Sequence, residues 1–184
     1  KIVIGYAGSM GITNALDTFI ETIKLLKDNK SIYFMLVGSG DLKARYEEQL
    51  KGCDNVTFLP RIKSNDVHYF LQKCDILYLS TKDSKVWEYG QSLNKLVDYM
   101  LAGKPIIASY SGYPSMINEA NCGYFVKTSD PKELKNIILK VANLSREERK
   151  EIGENGKKWI LQNRKYSKIA KEYIFLRYYK KINI

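Results

Sequence analysis

The chain has 184 residues, 45% of them hydrophobic, which is enough for one globular domain with a buried core. No apolar run is long enough to span a membrane, which argues against a helical membrane protein. Its 30 basic and 20 acidic residues give a net charge of +10. That charge favours an anionic partner such as a nucleotide, a nucleic acid or an anionic membrane surface.

Cysteine and histidine usage narrows the classes further. The three cysteines, Cys53, Cys74 and Cys122, are too few and too scattered for a disulfide framework or a zinc site, so we expect reduced thiols in a cytoplasmic protein. The single histidine, His68, argues against histidine-based metal sites and is expected to be a surface or packing residue. The first residues already have strand character and no signal peptide precedes them, which indicates a fragment of a longer protein.

Strand-like and helix-like segments alternate along the chain. The predicted strands are the apolar runs KIVIGYAG, SIYFMLVGSG, NVTFLP, DILYLS, KPIIAS and GYFVK. Between them lie segments with helical spacing of apolar residues, namely NALDTFIETIKLLKD, DLKARYEEQLKGC, SNDVHYFLQKC, residues 92–102 and a short helix within YPSMINEAN. Continuous apolar strands suit a sheet that is covered on both faces. We therefore predict an α/β fold, a Rossmann-like parallel sheet of about six strands flanked by helices.

The remainder of the chain is predicted to be helical. Asp130, Pro131 and Glu133 supply an N-cap, a proline at the first helical position and an acid that closes the cap. Ser145 and Glu148 make a second capping box, and a last helix is predicted over residues 166–181. We expect the whole chain, residues 1–184, to form a single domain with these C-terminal helices.

The loop after the first strand, AGSMGITNALD, is a candidate ligand site because parallel sheets bind ligands at the carboxyl ends of their strands. Gly8 and Gly11 flank Ser9 and Met10, and glycines there let backbone N–H groups approach an anion. The alternative is a tight turn in which Asn14 caps the following helix and the acid three residues later closes the cap. The sequence leaves both interpretations open.

The segment YGQSLNKLVDYMLAGKPIIAS is predicted to run from loop to helix to buried strand, with Ser92 as the helix N-cap. Lys95 would stand in the first turn, at the positive end of the helix dipole, where a cation is unfavourable without an anion. One interpretation is a diphosphate held by free N–H groups and Lys95, with Asp98 accepting hydrogen bonds from a ribose. The other is a solvated face with a Lys95–Asp98 pair that contributes a few tenths of a kcal/mol. The apolar face should comprise Leu93, Leu96, Val97 and Met100.

These motifs resemble the C-terminal, donor-binding half of retaining GT-B glycosyltransferases of family four. That family carries two glutamates eight positions apart, and the second is followed by A-M-A-x-G-x-P-V-I. DYMLAGKPIIAS fits the second part with Asp98 at the glutamate position, whereas Gly90 stands where the first acid is expected. YGQSLNKLVDYMLAGKP is also similar to a variant, Y-G-x-S-P-N-K-L-x-[DE]-Y-M-A-A-G-K-P, of bacterial polysaccharide transferases, with Leu93 in place of the proline.

The resemblance implies roles for individual positions. Asp98 would bind the ribose, the turn from Ser92 through Asn94 to Lys95 would hold the diphosphate, and the first loop would approach the phosphates and the sugar. Arg61 would bracket the nucleobase through main-chain contacts, and Glu88 is the candidate replacement for the missing catalytic acid. Ser9 and Asn14 occupy the places of an arginine and a lysine in most family members. The implied donor-binding set is Gly8, Ser9, Met10, Asn14, Arg61, Ser92, Leu93, Asn94, Lys95 and Asp98.

The resemblance also implies an activity and partners. The reaction would move a sugar from a nucleotide diphosphate sugar, with UDP as the family expectation, to a polysaccharide or lipid-linked acceptor. No metal or other cofactor would be needed, because the helix dipole and cations neutralise the leaving diphosphate. The enzyme's own N-terminal domain would be a partner, and the isolated chain is expected to be inactive or nearly so. Residues 164–184 would cross to that domain, bind an anionic membrane surface at the inner face of the membrane, or pack on their own domain.

Two other functions are compatible with parts of the sequence. A nucleotide-sugar epimerase shares the GT-B architecture and would act without an acceptor. A nucleic-acid-binding module is suggested only by the charge of +10. The lysines are spread over many helices and no nucleic-acid motif occurs, so we expect no nucleic-acid partner.

Overall fold

The structure is a computed structural model that describes residues 1–89, 93–110, 115–127 and 129–164. Six strands form one sheet: β1 (Ile2–Ala7), β2 (Ile32–Val37), β3 (Val56–Leu59), β4 (Ile76–Ser80), β5 (Ile106–Ser109) and β6 (Gly123–Val126). The helices are α1 (Asp17–Leu25), α2 (Lys43–Gln49), α3 (Ser64–Lys73), α4 (Asn94–Leu101), α5 (Met116–Glu119), α6 (Pro131–Ala142) and α7 (Arg146–Asn163), with 3₁₀ turns at Ile12–Asn14 and Lys85–Tyr89. None of the helices in the described residues is long and apolar enough to cross a membrane.

The sheet is parallel throughout, with strand order β3-β2-β1-β4-β5-β6. The chain therefore builds outward from β1 in one direction and then returns to build outward from β4 in the other. Ligands of such sheets bind at the carboxyl ends of the strands beside this switch point, because the loops after β1 and β4 diverge there. The predicted α/β fold with about six parallel strands is confirmed.

Apolar side chains fill a layer on each face of the sheet. On one face α1, α2 and α6 pack through residues such as Phe19, Tyr46 and Leu134, all fully buried. On the other face α3, α4, α5 and α7 pack through residues such as Leu71 and Met100. Both faces are covered, which explains why the strands are continuous apolar runs.

Helix starts in the C-terminal part follow the predicted caps. The Asp130 side chain accepts a hydrogen bond from the Glu133 amide at 2.8 Å, and Ser145 and Glu148 form a reciprocal capping box. Glu133 itself closes on the amide of Lys127 rather than on Asp130. The last helix predicted over residues 166–181 lies outside the described residues.

The alternative interpretation of the first loop, in which Asn14 caps the following helix, is wrong. Helix α1 begins at Asp17 with Leu16 as N-cap, because Asn14 is drawn into the preceding 3₁₀ turn and its side chain bonds elsewhere. Helix α4 begins at Asn94 with Leu93 as N-cap, whereas Ser92, the predicted N-cap, lies outside the described residues. Leu93 has no side-chain oxygen and therefore cannot cap the first-turn amides of α4 itself.

Candidate functional site

A cavity of about 500 Å³ lies at the carboxyl edge of the sheet, beside the switch point. Its walls come from the ends of β1 and β2, the loop after β3, the start of α3 and one face of α4. Five of the predicted donor-binding residues share this lining although they are far apart in sequence: Gly8, Ser9, Arg61, Lys95 and Asp98. The remaining walls are formed by Ala7, Val37, Gly38, Ser39, Ile62, Ser64, Val67 and Tyr99.

The glycine loop after β1 is locked to the loop after β2 through the backbone. The Gly8 amide donates to the Val37 carbonyl at 3.0 Å, and the Met10 amide donates to the Ser39 carbonyl at 2.8 Å. A Cβ at Gly38, where φ is +150°, would lie 1.9 Å from the Gly8 carbonyl oxygen. Only glycine allows this approach, so Gly38 sets the position of the cavity floor.

Met10 holds the loop after β1 against the loop after β2 and does not line the cavity. Its side chain is fully buried in the core beneath α1, and its carbonyl accepts from the Leu42 amide at 3.0 Å. The amides of Ser9 and Gly11, by contrast, donate to no acceptor within the described part of the chain. These two N–H groups are the ones that the loop can offer to an anion.

Lys95 is the second residue of α4, and among the described residues its ammonium contacts neutral groups only. The Nζ atom donates to Asn14 Oδ1 at 2.7 Å and to the Tyr6 hydroxyl at 3.1 Å, and it lies 4.6 Å from the centre of the Tyr6 ring. No carboxylate of the described residues forms an ion pair with Lys95, so the alternative Lys95–Asp98 pair is absent. Burial lowers the pKa of Lys95 to about 8, because nothing negative compensates its lost hydration.

The partners of Lys95 are themselves anchored. Ser80 at the end of β4 donates its hydroxyl to the Asn14 carbonyl at 2.5 Å. The Tyr6 hydroxyl donates to the Ser9 carbonyl at 2.6 Å. The strand ends on both sides of the switch point therefore determine where the ammonium sits.

Asp98 lies one turn further along α4, at the cavity wall. It remains exposed, yet partial burial raises the pKa of its carboxyl, while the nearby His68 acts in the opposite direction. His68 is exposed on α3, as predicted, but its proximity to Asp98 was not anticipated. Next to Asp98, the hydroxyl of buried Tyr99 accepts from the Ala7 amide at 2.9 Å and donates to the Ala7 carbonyl at 3.2 Å, which ties α4 to β1.

The positions of the remaining predicted residues differ, and the structure does not describe the side chains of two of them. Asn94 is exposed and Leu93 packs partly buried against the core, and neither lines the cavity. Arg61 is exposed on the wall formed by the loop after β3. Ser92 and the side chain of Glu88 lie outside the described residues.

Sequence reasoning missed several residues that line the cavity or contact Lys95. Ser39 sits in the VGSG segment after β2, where a glycine pair at a strand end could have identified it. Ser64, at the start of α3, could have been found as a polar residue at a helix N-terminus. Tyr6 and Tyr99 gave no such signal, because a tyrosine in an apolar run looks like an ordinary core residue.

Comparison with known proteins gives a consistent assignment. Residues 1–143 match the model of a family described as glycosyl transferases group 1. An uncharacterized glycosyltransferase of Methanocaldococcus jannaschii is 26% identical over 180 residues, which cover 94% of this chain and 44% of that protein. The chain thus spans less than half the length of this relative.

Two solved structures have a similar fold. TarM of S. aureus superposes with a TM-score of 0.79 at 18% identity, over 95% of this chain and 35% of TarM. The C-terminal domain of LpcC, a glycosyl transferase group 1 family protein of Francisella tularensis, gives a TM-score of 0.74 at 21% identity over 90% of this chain and 87% of that domain. The family match over residues 1–143 covers most of the 184-residue sequence, so this chain belongs to the glycosyl transferases group 1 family.

Proposed function

We propose that the chain is the donor-binding part of a glycosyltransferase and that its cavity takes a nucleoside diphosphate sugar. The observation that carries the proposal is the Lys95 ammonium, which is half-buried in the first turn of α4 and faces no carboxylate among the described residues. A buried cation at the positive end of a helix is unfavourable unless an anion arrives. A diphosphate supplies that anion and also accepts hydrogen bonds from the free amides of Ser9 and Gly11.

The rest of the cavity suits the rest of a nucleotide. Asp98, three residues after Lys95 on the same helix, is within reach of ribose hydroxyls when the diphosphate occupies the first turn. The wall made by Arg61, Ile62 and Val67 offers main-chain groups and an apolar surface for the base. TarM is known in complex with UDP, which supports UDP as the first nucleotide to test.

In the proposed reaction the chain stabilises the departing diphosphate. Negative charge that develops on the leaving oxygen would be met by Lys95 and by backbone N–H groups that are already oriented. These groups provide the charge compensation without a metal ion, so we expect EDTA to leave UDP binding unchanged. The acceptor and the remaining catalytic groups would come from an N-terminal domain, and the acceptor would be a polysaccharide or a lipid-linked glycan.

Calorimetric titration with UDP, UMP and uridine tests the proposal. Lys95→Ala should weaken UDP binding by about tenfold or more while leaving uridine binding nearly unchanged. Lys132→Ala is the matched control, since Lys132 is also the second residue of a helix but is exposed on α6, away from the cavity. Equal losses for UDP and uridine in Lys95→Ala, or equal UDP losses in both variants, would contradict the phosphate role.

A further inference from the structure

The three contacts that the described residues make with the Lys95 ammonium have one property in common, which is that none of them bears a charge. Asn14 contributes an amide oxygen, and Tyr6 contributes a hydroxyl and a ring face. Because a lysine ammonium can only donate, the Asn14 atom that faces it must be the amide oxygen. The pKa of the Tyr6 phenol is raised far above its usual value, mainly by burial and to a smaller extent by the neighbouring Tyr99. Tyr6 therefore stays neutral.

Resting on the donor site proposed above, we propose that Asn14 and Tyr6 are positioning residues, which hold the Lys95 ammonium with neutral acceptors so that its charge is compensated only by the diphosphate. A neutral acceptor at position 14 is essential to this arrangement. An aspartate there would have almost the same shape, but it would place a carboxylate about 2.7 Å from the ammonium. Lys95 would then be neutralised before any substrate arrived.

The position of Asn14 is fixed before a ligand binds. The 3₁₀ turn Ile12–Asn14 is attached to the end of β4 twice, through the Ser80 hydroxyl to the Asn14 carbonyl and through the Lys82 amide to the Thr13 carbonyl at 2.9 Å. Such anchoring removes the need to order the turn during binding. Asn14 therefore acts on the diphosphate through Lys95.

A dependence on pH follows from this arrangement. Among the described residues, Lys95 contacts one titratable group, Tyr6 on β1, and the charged or titratable groups that line the same cavity are Asp98 and Tyr99 on α4 and Arg61 on the wall after β3. Without a bonded carboxylate, part of the Lys95 population is neutral at pH 8–9, because burial lowers its pKa to about 8. The phosphates of UDP are fully ionised there, since their last pKa is about 6. UDP binding should therefore take up a proton on Lys95 and should weaken as the pH rises above 8.

The first test needs no nucleotide. The side-chain carbon shifts of Lys95 are followed against pH by NMR in the chain labelled with ¹³C-lysine, with the signal assigned by its loss in Lys95→Met. The parent should titrate near pH 8, and Asn14→Asp should titrate at a markedly higher pH, because a carboxylate beside the ammonium favours its charged form. Thr13→Asp is the matched control, because it adds the same charge to the same turn at an exposed residue that does not contact Lys95.

The second test is UDP binding by the same variants. We expect Asn14→Asp to lose at least about tenfold in affinity and to bind without proton uptake at pH 8.5, as measured by calorimetry in buffers of different ionisation enthalpy. Asn14→Ser, which is neutral, should lose only a few-fold and keep the proton uptake, which covers the case in which Asn14→Asp folds poorly. A purely structural role would make the two variants alike.

The outcomes separate this inference from the proposed function. Equal Lys95 titration midpoints in the parent and in folded Asn14→Asp would overturn the inference, as would UDP binding by Asn14→Asp at parental strength. If the parent does not bind UDP, the proposed function fails and the Lys95 midpoints alone decide the inference. A higher Lys95 titration midpoint in Asn14→Asp, together with an unchanged midpoint in Thr13→Asp, would then still support the inference that neutral acceptors hold Lys95.

Discussion

Gly8 and Lys95 compete for the same space at the end of β1. A Cβ placed on Gly8 would lie 2.7 Å from both Cε and Nζ of Lys95. The ammonium can therefore reach Asn14 and Tyr6 only because residue 8 has no side chain. Gly8 was predicted from a strand-end motif as a site where the backbone approaches a ligand. The structure shows that it also leaves room for the Lys95 side chain, which the motif alone does not indicate.

Gly8→Ala should damage binding more than folding. The methyl group would displace the flexible end of Lys95, so we expect UDP affinity to fall by about tenfold, at a stability cost of about 1–2 kcal/mol. Gly38→Ala is the contrasting variant, because its Cβ would lie 1.9 Å from a backbone oxygen that cannot move away alone. It should cost more than about 3 kcal/mol in urea unfolding. A Gly8→Ala chain that binds UDP like the parent would show that Lys95 does not need this space.

Lys95→Met should stabilise the ligand-free chain at pH 7. Burial lowers the pKa of Lys95 from its usual 10.5 to about 8, so the folded chain binds this proton less tightly than the unfolded chain. The contribution of Lys95 to the stability of the parent therefore rises between pH 8 and 10.5, whereas below pH 8 the buried charge costs its full amount. Reduced for partial solvent exposure, that cost is about 1–2 kcal/mol.

Urea unfolding of the parent and Lys95→Met at pH 7 and pH 9.5 measures this difference. Other groups, including Cys74 and Cys122 with pKa values raised by burial to about 12, contribute equally to both chains and cancel. The advantage of Lys95→Met should shrink at the higher pH. A variant that is less stable than the parent at pH 7 would mean that the contacts with Asn14 and Tyr6 already compensate the charge.

Tyr99→Phe should lower the free energy of unfolding more than a comparable substitution elsewhere in the core. Its hydroxyl satisfies both the amide and the carbonyl of Ala7, so the variant leaves a buried backbone amide unpaired, at about 1–3 kcal/mol. Tyr78→Phe is the control, because Tyr78 is equally buried but its hydroxyl bonds to the side chains of Ser109 and Ser80 rather than to a backbone amide. Urea unfolding should give the larger loss for Tyr99→Phe, and equal losses would argue against the Ala7 contact as the main cause.

Periodicity and apolar runs were sufficient to predict the sheet, because a strand covered on both faces must be apolar throughout. The caps next to the ligand edge were not predictable in the same way. Asn14 is a good N-cap residue by type, but its side chain bonds to Lys95, 81 positions away in the sequence. Tyr6 and Tyr99 were missed for a related reason, since the polar atom of a buried tyrosine is significant only once its partner is known. Long-range side-chain bonds of this kind are what local sequence patterns omit.

Asp98 should discriminate ribose from deoxyribose. Asp98→Ala should weaken UDP binding by about 1–3 kcal/mol, the range for hydrogen bonds to a charged group. On this variant, 2′-deoxy-UDP should bind almost as tightly as UDP, because the group that recognises the hydroxyl is gone. Partial burial raises the pKa of Asp98, so the preference for ribose should decline on acidification at a higher pH than an ordinary aspartate would give. Competition calorimetry with the two nucleotides at pH 5 and pH 7.5 measures both effects.

Asp98→Asn is the matched variant for this prediction, because it keeps the shape and one acceptor oxygen but lacks the charge. It should retain part of the ribose preference and should lose the dependence on acidic pH. His68→Ala should shift that pH dependence upward, since His68 lowers the pKa of Asp98. If Asp98→Ala distinguishes ribose from deoxyribose as well as the parent does, the ribose hydroxyls are bound by another group and the assignment of Asp98 is wrong.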